Sequence, residues 1–115
     1  MLRIPSTEMV KMLGYLVDDD KLLKYGLDMK LGTDENELAR ENTILEAVSS
    51  LFARGGVWGH AKVVGVMFKD EERTCLAVAS NDPNEPHFSV PSREVLDKFK
   101  KVLGMKREPR WYTYA

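Results

Sequence analysis

Between Lys62 and Phe88 two short apolar runs, residues 63–68 and 74–79, are joined by the charged connector Lys69-Asp70-Glu71-Glu72-Arg73. The chain then breaks at Asn81-Asp82-Pro83-Asn84-Glu85-Pro86, residue types that favour tight turns, and delivers His87 and Phe88. This pattern predicts a β-hairpin followed by a rigid loop, in a chain that otherwise carries helical periodicity. Both runs are apolar at successive positions. Neighbouring side chains of a strand point to opposite faces, so Val63, Val64, Val66, Met67 and Phe68 cannot share one face. Either protein covers both faces or the segment pairs with another chain. A lone hairpin is marginal in water, so further strands or helices have to support it. Phe88-Ser89-Val90 offers a short third strand, and Trp111-Tyr112-Thr113-Tyr114, rich in β-formers, a fourth.

Helical signals surround the hairpin. Ser6 is a good N-cap, and Met9, Val10, Leu13, Leu16 and Val17 follow at helical spacing, which predicts a first helix. Asp18-Asp19-Asp20 suits the N-terminus of a second helix over 21–30, with Leu22, Leu23 and Leu27 inward. Gly26 weakens that helix by about 1 kcal/mol relative to alanine. Asp34 and Glu37 stand at capping-box spacing before a third helix over 34–54. Its apolar face is Leu38, Ile44, Leu45, Val48, Leu51 and Phe52, and Gly55-Gly56 provide a left-handed stop. Pro91 and Ser92 open a last helix, whose face is Val95, Leu96, Phe99, Val102 and Leu103 and which Gly104 ends.

The expected fold class is therefore α+β. Three N-terminal helices precede a β-hairpin with short extra strands, and a C-terminal helix packs on the small antiparallel sheet. Residues 1–115 form one domain, in which 105–115 is a basic aromatic tail. The expected centre of the core is Leu45, Val48, Phe52, Val64, Val66, Leu76, Val78, Leu96 and Phe99. The tail is expected to dock on the sheet, with its basic entry exposed.

Composition narrows the functional classes. No apolar run approaches the roughly 18 residues of a membrane span, and Met1-Leu2-Arg3-Ile4-Pro5 lacks the apolar stretch of a secretory signal. The single cysteine, Cys75, excludes an intrachain disulfide and a Cys-rich zinc site, so the expected compartment is a reducing one, the cytoplasm. Net charge is −1 but uneven: residues 61–115 carry 10 basic and 8 acidic side chains, residues 1–60 the opposite bias of 7 and 10. Lys98, Lys100, Lys101, Lys106, Arg107 and Arg110 face only Glu108. That cluster suits either an anionic partner or a solvated helix end.

Several residue groups carry chemistry, each beside a plainer reading. His60, Asp82, Glu85 and His87 suit general acid–base work or a divalent metal, although no spacing matches a zinc signature. The same Asp82-Pro83-Asn84 is what a tight turn uses. Cys75 is a nucleophile if paired with a histidine, and a small buried hydrophobe inside an apolar strand otherwise. Arg107, Arg110, Trp111, Tyr112 and Tyr114 interleave cations with flat rings, which suits RNA, a protein interface or closure of the core.

The run Lys62-Val63-Val64-Gly65-Val66, a second strand, His87-Phe88 and a helix resembles the central part of the ribotoxin-like ribonucleases of mushrooms, over about a quarter of the chain. The resemblance implies a metal-dependent ribonuclease with Asp82 and His87 at matching positions and Trp111 in the aromatic C-terminal segment. The family's acidic strand-end pattern is incomplete here.

The functional expectation is a small non-enzymatic binding or regulatory protein without a cofactor. Its partner is a second copy or another protein, contacted through Lys106, Arg107, Arg110, Trp111 and Tyr112, and no membrane is involved. The alternative is a metal-assisted ribonuclease built from His87, Asp82, His60 and Glu85, holding a divalent cation, with the tail on the nucleic acid.

Overall fold

The computed structural model describes residues 9–115. Its element order is β1 (Lys11–Val17), α1 (Asp19–Asp28), α2 (Glu37–Arg54), β2 (Lys62–Phe68), β3 (Glu71–Ser80), α3 (Arg93–Leu103) and β4 (Arg110–Tyr114). The four strands are all antiparallel and close into a barrel in the order β1-β3-β2-β4. The α+β class holds, but the sheet is closed and the order begins with a strand.

The first helix is the largest correction. Residues 11–17 form β1, and the Ser6 cap assigned to that helix lies outside the described residues. Both faces of β1 are covered: Leu13, Tyr15 and Val17 face the helices, whereas Met12 and Leu16 face the barrel interior. A strand covered on both sides is apolar at nearly every position, so it also contains the i, i+3, i+4 spacing of a helix. Asp18 then caps α1, its Oδ1 accepting from the Lys21 amide at 2.8 Å.

The remaining helices follow their local signals with shifts at the ends. Asn36, not Asp34, caps α2, accepting from the Ala39 amide at 2.8 Å. Leu38 and Leu45, expected inside, are 66% and 62% exposed; the buried face is Thr43, Ala47, Val48, Leu51 and Phe52. Gly26 lets α1 meet α2 closely, since a Cβ there would sit 2.6 Å from Thr43 Cγ2. Ser92 caps α3, and Gly104 ends it at φ +69°. Phe99 is fully buried between Tyr15 and Phe52, with ring centroids 6.2 and 6.1 Å away.

The hairpin turn is tighter than the sequence suggested. Phe68 pairs with Glu71, so only Lys69 and Asp70 turn, both at positive φ (52° and 65°). Such a two-residue turn matches the right-handed twist of its strands. The supposed connector residues Glu71, Glu72 and Arg73 belong to β3. Residues 88–90 are not a strand; Phe88 instead buries its ring in the barrel, and its carbonyl accepts from the Ser80 amide at 2.8 Å.

Closure answers the question raised by the doubly apolar runs. Leu76 and Val78 face the helices, while Cys75 and Ala77 join Met12, Val66, Phe88 and Tyr112 inside the barrel. Of the expected core centre, Val64 and Leu96 are only partly buried. The β1–β3 register shifts between Leu13 and Gly14, leaving Val78 as the extra residue of a bulge. Gly14 is obligatory at that crossing: a Cβ would lie 2.1 Å from the Leu76 carbonyl oxygen and 2.8 Å from Ala77 Cα. Each described strand has a neighbour on both sides, although β2 meets β4 only at Val66 and Met67, so no strand presents a wholly open edge to a second chain. The helices clad the β1 and β3 side, leaving Val63, Met67 and Trp111 of β2 and β4 at 48%, 40% and 44% exposure. Among the described residues, no helix is long and apolar enough to cross a membrane.

Candidate functional site

His60, Glu85 and His87 line one hollow of about 330 Å³, with Lys62, Asn84 and Phe88 completing its wall. The 81–87 turn and the approach to β2 bring them together. His60 and Glu85 each have a local partner. His60 Nε2 lies 2.7 Å from the carbonyl of Val78, the bulge residue. A carbonyl only accepts, so Nε2 carries the proton, and His60 satisfies the Val78 carbonyl just beyond the last β2–β3 pair, Lys62 with Ala77. Its ring packs on Phe88 at 5.3 Å. The Glu85 carboxylate pairs with Lys62, whose Nζ also stands 4.7 Å from the Phe88 ring centroid. His87 is exposed.

Asp82 is not part of this wall. Its Oδ1 accepts from the Asn84 amide at 2.9 Å, its carbonyl from the Glu85 amide at 3.0 Å, and its own amide donates to Ser80 Oγ. The carboxylate holds the turn. Among the described residues no three His, Cys, Asp or Glu side chains gather closely enough to ligate a metal ion. The cluster therefore offers one open histidine beside an ion pair. Cys75 is fully buried in the barrel, and burial pushes its thiol up to about 12, so at neutral pH it is a protonated core residue.

The tail divides along its strand. Tyr112 is 7% exposed and meets Phe68 edge-on at 5.7 Å, so its ring is withdrawn from any partner. Trp111, on the opposite face, remains outside, and Lys106, Arg107 and Arg110 are exposed as expected. The basic cluster is less bare than its sequence implied. Glu108 bridges Arg93 and, at 2.7 Å, Lys100. Hydrogen bonds from Arg93 and Lys100 lower the Glu108 carboxyl to about 2.

A second hollow, of about 400 Å³, lies elsewhere, at the end of the barrel where β1 stops and β3 starts. Leu16 and Phe68 of the barrel interior form one wall, Leu22 and Leu51 the helical wall, and Val102, Leu103 and Met105 the third. Its polar groups are Asp18, Lys21, Tyr25, Arg73 and Arg107. Tyr25 is occupied: its hydroxyl contacts Ser50 Oγ at 3.0 Å and accepts from Arg54 at 2.9 Å. Burial alone would raise this phenol, but those hydrogen bonds and the charge of Arg54 outweigh it and lower it. Among the described residues neither Arg73 nor Arg107 has a carboxylate within ion-pair distance.

Of the residues put forward for catalysis or for a partner, Arg107 alone borders this hollow. One signal was available. Arg73 falls on the same strand face as Cys75 and Ala77, so a charge directly adjoins an inward apolar run, once β3 is extended back to Glu71, which shares that face at the strand's end. A pocket at a barrel mouth, mostly apolar with a few convergent polar groups, is the usual form of a small-molecule site. Comparison with protein-family profiles, with curated proteins and with solved structures finds no match for this chain.

Proposed function

We propose that this chain is a small non-enzymatic binding protein whose ligand occupies the hollow at the barrel mouth. The observation that carries the reading is the combination of an apolar, preformed cavity with two guanidinium groups that lack carboxylate partners among the described residues. Its volume lies within the roughly 300–1,000 Å³ of ligand pockets. Filling the cavity tests it. Small amphipathic molecules should raise the melting temperature of the full chain, as any ligand selective for the native state does. Val102→Trp, which places a large ring in the cavity, should abolish that rise. An equal response in parent and variant would sink the proposal.

Self-association is the second part of the reading, with changed support. The closed sheet removes the open-edge route, so a dimer would use the bare outer face of β2 and β4, where Val63, Met67 and Trp111 are exposed. Sedimentation of the parent and of Met67→Lys with Trp111→Lys checks this; a parent that sediments as a monomer ends it.

The competing enzymatic reading, metal-assisted RNA cleavage, draws on the convergence of His60, Glu85 and His87 in one hollow. It requires His87 to move a proton beside a cation held by carboxylates, of which Glu85 is paired with Lys62 and Asp82 holds its turn. Cleavage of structured RNA, lost with chelator and in His87→Ala, would favour it over binding.

A further inference from the structure

We infer that the barrel-mouth hollow is built for a single-chain anionic amphiphile, with its aliphatic tail between barrel and helices and its head at Arg107 and Arg73. The inference rests on the hollow being the ligand site, and it adds the chemistry of the occupant.

Two observations point the same way. The walls are mostly branched or flexible aliphatic side chains, and of the two aromatic rings Phe68 is engaged edge-on by Tyr112 while Tyr25 is held through its hydroxyl by Ser50 and Arg54. Stacked flat ligands want open ring faces, whereas a hydrocarbon chain needs only apolar contact. The polar groups carry three positive charges, Lys21, Arg73 and Arg107, against one carboxylate, Asp18, which is committed to capping α1. A guanidinium presents a planar fork of donors matched to a carboxylate or phosphate head. An acid cluster borders Arg73 on its other side, where Asp18, Asp19, Asp20 and Glu72 line a separate shallow hollow. Arg107 does not border that hollow and is the principal head-group residue. Tyr15 donates its hydroxyl to the Arg107 carbonyl at 3.0 Å, fixing the backbone from which the guanidinium projects.

The test compares three probes of equal tail and different charge, each below its micellar concentration: dodecanoate, dodecanol and dodecyltrimethylammonium. Calorimetric titration of the full chain should give one dodecanoate per chain, bound roughly tenfold or more tightly than either other probe. Arg107→Gln should bring dodecanoate down to the affinity of dodecanol, while Arg107→Lys retains part of the preference. Met105→Gln, in the apolar wall, should weaken all three together. Binding of all three with equal affinity, or preference for the cation, overturns the inference and leaves the cavity reading intact. No binding by any probe overturns this inference, and the cavity reading falls with it only if the melting-temperature panel also fails.

Discussion

The two sides of the β-sheet are built on different principles. On the outer side, Phe52, Phe99, Leu51 and Leu76 pack large side chains against helices whose caps and periodicity are local. On the inner side, Cys75, Ala77 and Met12 fill a narrow barrel whose existence depends on β4 pairing with β1 and β2. The outer core rests on helices that carry their own local signals, the inner one on a ring that is complete only when β4 pairs. The large hollow lies where the two meet, because a barrel end and three helices cannot all be close-packed at the same rim.

The severest test removes both sides at once. Gly14→Val drives a branched side chain into the backbone of β3 and should cost more than about 4 kcal/mol, enough to abolish the folded circular-dichroism signal. A folded variant would show that the strands can separate at the bulge without losing either core.

The next pair separates the sides. Phe99→Ala should cost about 3–5 kcal/mol, as truncation of a fully buried aromatic does, and Tyr112→Ala somewhat less, because its ring is slightly exposed. Cys75 reports on the interior. Its thiol should resist modification in the parent and in Phe99→Ala under native conditions but react faster in Tyr112→Ala, which loosens the ring locally. Equal labelling rates, after correction for global stability, would mean that the two cores open as one unit.

Smaller effects probe the tie between the helical layer and the tail. Tyr15→Phe should cost about 1 kcal/mol, the typical worth of one hydrogen bond. Burial, then the nearby Glu108 carboxylate, raises the Tyr15 phenol. Its contribution is therefore complete below the unfolded value near 10 and is lost as pH rises through the higher folded value, a loss that Tyr15→Phe should not show. Glu108→Gln should have the smallest effect, a modest fall in melting temperature. Its folded value is depressed, so the loss should be full above about 4.5, fade as pH drops toward about 2, and shrink in high salt. A loss independent of pH and salt would assign Glu108 a packing role instead.

The legibility of the chain follows the same division. Asp18, Ser92, Gly104 and the 93–103 periodicity announce their helices through contacts within one turn, and the hairpin through adjacent runs. The Trp111–Tyr114 strand was readable from β-formers placed after Pro109, although Tyr112, put forward as a partner contact, is buried. β1 was not, because a strand clad on both faces loses the alternation that distinguishes it from a helix. Leu38 and Leu45 misled for the converse reason: they sit at plausible spacing on α2, on a side where nothing packs. At the site, His60, Glu85 and His87 were legible as a group, two of them through nearness in sequence. The mouth was hidden because its lining comes from β1, α1, α2, β2, β3, α3 and the segment after it, and each residue alone reads as ordinary core or surface charge.

The seam that completes the barrel has a temporal consequence. β4 meets β2 at only two paired positions, Val66 with Tyr114 and Met67 with Thr113, assisted by the Ala115 amide on the Gly65 carbonyl. Lys11, at the other flank, must find Thr113 across almost the whole described chain. Contacts that distant are slow to form, since loop closure is unfavourable until they are made. Without β4, β1-β3-β2 would be an open three-stranded sheet with an apolar concave face and two unsatisfied borders. A chain cut before residue 110 should therefore aggregate more readily than the full chain. Five residues returning to β1 are what cover that apolar face.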